Sequence, residues 1–178
     1  MGKVEASSVA TLAASTSTST FPPVESITWR TYVDPGGRFQ ISYPNEWVLV
    51  QPEKEQNRVY FINLSLGDDI NSGGISVAIL GQVSDLVRLA KKNERFTIET
   101  SNAVDLRSII TTTVNLDGHY GLGHLNSYMY QGHSIEQRAV YLTTTDHTFV
   151  ITLIARAERL SQYMPIYEET VRTFSLGE

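Results

Sequence analysis

The residues of this chain that could do chemistry without a cofactor of their own are its four histidines and 19 acidic residues; there is no cysteine. Side chains two apart on an extended strand point to the same face. Asp117 and His119 therefore share a face on either side of a turn, and His124, His133 and His147 fall near neighbouring turns that hairpins can bring together. Imidazole and carboxylate ligands of this kind suit manganese or zinc. Asp68 and Asp69, in a polar Gly-rich loop, offer the oxygen ligands that calcium takes, but not the spaced acidic ladder of a calcium loop. Asp117 and His119 are thus the candidate metal ligands, and the cofactor they could hold is a divalent cation: calcium, manganese or zinc. Against this stands a simpler reading, in which the histidines are exposed turn residues and the aspartates a solvated loop.

The motifs that organise covalent or phosphate chemistry are missing. The chain has no Gly-Xaa-Ser-Xaa-Gly elbow, no dinucleotide or phosphate-binding glycine loop, and no His-Glu-Xaa-Xaa-His pair. Gly121-Leu122-Gly123 reads as a strand bulge or a close approach under a helix. Asn63-Leu64-Ser65 fits the glycosylation pattern, but it sits at the end of an apolar run. Without cysteine there is no thiol nucleophile, disulfide or thiolate metal site. The expectation is a noncatalytic protein.

Composition narrows the partners. A formal charge of −5 without a Lys/Arg block disfavours nucleic acid, whose backbone is bound by clustered cations. No apolar run reaches the roughly 20 residues of a membrane-spanning helix. The chain has 178 residues, 41% apolar and 19% charged, a size and balance that suit one globular domain with a real core.

The elements that would position these groups are mostly strands. Residues 28–33 are strand-like and 38–43 alternate apolar and polar, on either side of Asp34-Pro35-Gly36-Gly37, a turn in which Pro presets φ and Gly supplies positive φ, so a hairpin is expected. Tyr43-Pro44-Asn45-Glu46-Trp47 turns into residues 48–51, and 58–64 and 75–80 are apolar strands. A helix is expected over 84–93 with Ser84 as N-cap and Asp85 at its positive end; 96–104 reads equally as a second helix or a loop. Runs 107–116, 119–130, 135–144 and 148–155 form an antiparallel meander, the first turn being Asp117-Gly118. Leu160, Met164, Tyr167, Val171 and Phe174 recur at helical spacing, with Pro165 requiring a start near Ser161 or a kink. The fold class is α+β, a twisted antiparallel sheet flanked by helices, over residues 28–178. Residues 1–27, rich in Ser, Thr and Ala, cannot fill a core and are expected to be a flexible arm. Such a segment gains order from a partner, which makes Ser15, Thr16, Phe21, Pro22 and Pro23 candidate partner-binding residues.

One stretch also resembles a known family. Tyr32-Val33-Asp34, a Gly-rich turn, Arg38-Phe39-Gln40-Ile41-Ser42-Tyr43-Pro44 and then Asn45-Glu46-Trp47 resemble the opening of PsbP-family proteins. The strand over 71–80, the hairpin at Asp117-Gly118-His119-Tyr120, the hairpin over 141–154 and the closing Thr173-Phe174-Ser175-Leu176 follow in the same order. The resemblance covers residues 28–176 and implies a PsbP-like α-β-α sandwich in the chloroplast thylakoid lumen, peripheral to the membrane. It further implies an extrinsic subunit of photosystem II that supports the oxygen-evolving cluster and its calcium, or assists assembly, with an arm that contacts the core and other extrinsic subunits. The segment after Trp47 lacks the aromatic-Asp pair usual in the family, and the arm lacks the lysines of plant members. These departures indicate a divergent member, for which photosystem I or the chloroplast NADH-dehydrogenase-like complex are alternative hosts. A free binding module of the same fold, such as an envelope lipoprotein or a Ran-binding import factor, is the other reading.

Overall fold

The computed structural model describes residues 23–53, 57–64, 73–116 and 118–177, with only the backbone for 101 and 111–114. After a helical turn at Val24–Ser26, strands β1 (Trp29–Val33) and β2 (Phe39–Pro44) form the expected hairpin. Gly37, at φ 68°, closes its turn by donating its N–H to the Asp34 carbonyl at 2.8 Å. Strands β3 (Val48–Val50), β4 (Arg58–Ile62) and β5 (Gly74–Gly81) lead into helix α1 (Leu86–Ser101). The long strands β6 (Val104–Leu116), β7 (His119–Tyr130), β8 (His133–Thr143) and β9 (His147–Arg156) follow as a meander. A helical turn at Ala157–Arg159 then leads to α2 (Leu160–Arg172) and the two-residue strand β10 (Ser175–Leu176).

The class is the expected α+β, but the strands make two sheets. A small sheet runs β1-β2-β10 and a large one β3-β4-β5-β9-β8-β7-β6, with antiparallel pairing throughout. β10, which the sequence placed at the end of the closing helix, pairs with β2 instead: Ser175 stands opposite Gln40 and Leu176 opposite Phe39.

Burial follows from this layering. β9 is the middle strand of the large sheet and is buried along almost its whole length, because both of its faces are covered. On one face Ile151, Leu153, Val77, Phe61 and Leu142 pack with Phe39 and Ile41 of β2, Tyr163 and Ile166 of α2, and Phe174. On the other, Tyr141, Val150 and Ala139 meet Leu89 and Ala90 of α1. Each large aromatic buried here removes apolar surface from water at about 25 cal/mol per Å². Phe39 lies at the junction, stacked on Phe174 with ring centres 5.7 Å apart and edge-on to Phe149 at 5.9 Å.

Two local expectations need correcting, and one open reading is decided. The N-cap of α1 is Asp85, not Ser84: the Asp85 carboxylate accepts from the Arg88 N–H at 2.9 Å. The ambiguous 96–101 stretch is helix, carried by the buried Thr97 and ended by Asn102, whose φ of 48° makes a left-handed cap. In α2 the buried stripe is Tyr163, Ile166, Tyr167 and Thr170; Leu160, Met164 and Val171 border it, and Pro165 stands inside the helix.

Candidate functional site

A groove of about 440 Å³ lies between α2 and strands β6–β8. Pairing puts Gly123 beside Val140 and Leu125 beside Arg138 on the sheet face that α2 covers. Met164, Tyr167, Glu168, Val171 and Arg172 of α2 form the opposite wall. The absence of a side chain at Gly123 opens the floor. Across from it β6 shifts register between Thr111 and Val114, opposite Gly123 and Gly121, so the two strand glycines do accompany a bulge. Tyr167 is held in the wall by donating to the Ile151 carbonyl at 3.1 Å, and burial pushes its hydroxyl pKa upward. Arg138 lines this groove together with Asn115, Glu168 and Arg172, and its buried Nε has no hydrogen-bond partner among the described residues.

A polar cluster occupies the other face of β7, beneath α1. His124 is 4% exposed. Its Nε2 lies 2.9 Å from the Ser108 hydroxyl and 3.0 Å from the Glu94 carboxylate, and Ser108 also hydrogen-bonds Glu94. Its Nδ1 faces the Tyr141 hydroxyl at 3.2 Å, which accepts from the Asn93 amide at 3.1 Å. Burial lowers the His124 pKa against the opposing pull of Glu94, and burial raises that of Tyr141 to about 12. The residue types are those of a Ser-His-acid triad, but the geometry is not. In a working triad the acid holds one ring nitrogen while the other serves the nucleophile. Here acid and serine crowd the same nitrogen, and the far one meets a neutral phenol. What the arrangement does is tie α1 to β6, β7 and β8.

A third feature is the charged lock on the β1–β2 turn. Asp34 is buried, and its Oδ2 accepts from Arg38 Nε at 2.7 Å and from the N–H groups of Gly36 and Arg38 at 3.1 and 3.3 Å. Oδ1 accepts from Arg38 Nη2 at 2.9 Å, and Nη1 donates to Asn57 at 3.1 Å. Burial works against ionisation of Asp34, but these donors outweigh it and hold its pKa below the usual value.

The residues singled out from sequence are dispersed. Asp117, Asp68, Asp69, Ser15, Thr16, Phe21 and Pro22 lie outside the described residues; Pro23 is exposed just before the first helical turn. His119 is exposed at the start of β7, and His133 is at the opposite end of that hairpin. His124, expected near a turn, is mid-strand and buried. The hairpins therefore do not gather the histidines, and among the described residues no three metal-ligating side chains come together. Sequence reasoning missed the cluster of Glu94, Ser108, His124 and Tyr141, whose one signal was a histidine on the alternating face of a strand. It also missed Arg138, an arginine in a run that is otherwise half buried.

With two sheets closing on a shared core and one helix on each side, the architecture is that of the PsbP-like α+β fold. The solution structure of PsbP (CyanoP) from the cyanobacterium Synechocystis matches it with a TM-score of 0.64 at 15% identity, over 84% of this chain and 93% of that one. The Ran-binding protein Mog1p of Saccharomyces cerevisiae matches with a TM-score of 0.60 at 14% identity, over 85% and 96%. LpqN of Mycobacterium tuberculosis, involved in cell envelope biogenesis, matches with a TM-score of 0.54 at 14% identity, over 86% and 92%. At such identities the likeness is one of fold. The sequence matches no family profile and no curated protein.

Proposed function

We propose that this chain is a noncatalytic, PsbP-like extrinsic subunit that docks on the lumenal side of a photosynthetic membrane complex, photosystem II being the first candidate. There it would support the oxygen-evolving cluster or the assembly of the complex. The observation that carries this reading is the block from Tyr32 to Trp47. Its likeness to the PsbP opening is matched in space by a hairpin whose turn is locked by Asp34 and Arg38, within a fold shared with cyanobacterial PsbP. The noncatalytic part of the proposal is supported by the His124 cluster, in which the acid and the serine compete for one ring nitrogen. No helix of the described residues is long and apolar enough to cross a membrane, which accords with a peripheral subunit.

The test is co-purification from the native source. Tagged protein should migrate with photosystem II on a native gel and be released by a salt wash. Migration with photosystem I or the NADH-dehydrogenase-like complex would move the assignment to that host, and recovery only as a free protein would refute it. A second reading, a free binding module, is favoured by the similar fit to Mog1p and LpqN. It predicts a stable one-to-one complex with a soluble partner in the same experiment.

A further inference from the structure

The outward side of α1 carries a feature that the fold does not use. Successive residues of an α-helix turn by about 100°. Leu86, Leu89, Ala90, Asn93 and Thr97 accordingly form its inner side, against the sheet. Arg88, Lys91, Lys92 and Arg95 occupy the crest that points away from it, and all four are exposed. Of the acids in the helix, Glu94 is turned inward onto His124 and Ser108, leaving Glu99 alone on the outer side. The crest is therefore strongly positive on a chain whose net charge is −5. Apolar side chains flank it: Val87 and Ile98 on one shoulder, each 44% exposed, and Phe96 on the other, 60% exposed.

This arrangement weakens the helix. Arg88 and Lys92, and likewise Lys91 and Arg95, stand four residues apart as like charges, which destabilises a helix. None of the four makes an ion pair among the described residues. We propose that the outer side of α1 is a docking surface for an acidic protein face, with Phe96 as its apolar anchor. A bilayer is the less fitting occupant. A helix lying in a membrane interface puts its apolar side at the crest and its cations at the flanks, whereas here the cations are at the crest. Phenylalanine and arginine in turn belong to the residues enriched where proteins meet. The inference does not depend on which complex hosts the protein.

The experiment uses the full chain and labelled poly-L-glutamate as the acidic probe, with binding followed by fluorescence anisotropy. The wild-type chain is expected to bind at low ionic strength and to release the probe as salt rises and the Debye length shrinks from about 30 Å to about 8 Å. K91Q/K92Q should weaken binding about tenfold, while R30Q/R107Q, which removes the same charge from exposed strand positions, should change it by less than about twofold. F96S should weaken binding with the salt dependence unchanged. The thermal midpoint of K91Q/K92Q should equal or exceed that of the wild type, because like-charge repulsion has been relieved. Equal weakening by the two double variants, or no binding at low salt, would overturn the proposal. Tighter wild-type binding to phosphatidylglycerol vesicles than to poly-L-glutamate would overturn it in favour of a bilayer.

Discussion

Replacing Asp34 by Asn tests the turn lock directly. The substitution keeps the shape of the side chain but removes its charge, and the new amide NH₂ must face at least one N–H donor in either orientation. With the amide oxygen in the Oδ2 position, three bonds survive in weaker, neutral form, and the NH₂ confronts Arg38 Nη2. Charge-assisted hydrogen bonds are about twice as strong as neutral ones, and breaking a fully buried ion pair costs about 3–5 kcal/mol. The Asp34 side chain is 2% exposed but that of Arg38 is 25% exposed, so the stranded guanidinium recovers part of its hydration. The expected loss is about 2–3 kcal/mol, or a fall of about 4–12 °C in midpoint for a domain of this size. Urea and thermal unfolding followed by circular dichroism would measure it, with R38Q and the double variant closing a thermodynamic cycle. The coupling should be about 1.5 kcal/mol or more. The acid dependence gives a second check. Asp34 titrates lower folded than unfolded, so the lock contributes fully above its ordinary value of 3.8 and is lost as pH falls through the folded value. The gap between wild type and D34N should therefore narrow as the pH is taken below 3.8. A loss below about 0.5 kcal/mol at pH 7, or additive single variants, would refute the reasoning.

Other positions yield sharp expectations. Burial lowers the pKa of His124 from 6.5, so its protonation favours the unfolded chain; its contribution is complete above about pH 6.5 and declines below it. Urea midpoints should then fall from pH 7.5 to 5 more steeply for the wild type than for H124Q, and equal slopes would show that His124 is not the group responsible. Replacing Gly177 by Ala would drive a methyl group into the Gly37 carbonyl oxygen and detach the Gly177 N–H from the Arg38 carbonyl, which it meets at 2.9 Å. Amide exchange along β2 should accelerate, at a cost of about 1–3 kcal/mol. Arg138→Met removes a cation whose buried Nε has no partner among the described residues. It should leave stability unchanged or raise it by about 1 kcal/mol, and a clear loss in thermal midpoint would mean that the guanidinium is satisfied elsewhere.

Local chemistry made much of this architecture legible. Asp34-Pro35-Gly36-Gly37 specifies its hairpin because proline fixes φ and glycine admits the positive φ that the turn needs whatever surrounds them, and β9 is legible as a strand in the apolar runs 149–151 and 153–155. Contacts between distant residues were less visible. Phe96 to Ser101 mixes β-branched and polar residues and has no local preference; burial of Thr97 decides it. Ser175 and Leu176 form a strand only because β2 offers a free edge. The partnership of Glu94 with His124 depends on α1 crossing β7, which no spacing along the chain encodes. Arg138 differed from any other half-buried strand residue only once the wall of α2 stood opposite it.

The small sheet bears on how the protein is made. Thr173 caps the Ser42 N–H from 131 residues away, and β10 seals the edge of β2 just beyond it. At about 5–20 residues per second, a ribosome takes about 7–26 s to travel that distance. Throughout that interval Phe39 and Ile41 have no Phe174 to pack against, and β2 presents an open edge. Until the residues around Phe174 are made, the β1–β2 hairpin lacks both its second edge partner and part of its core.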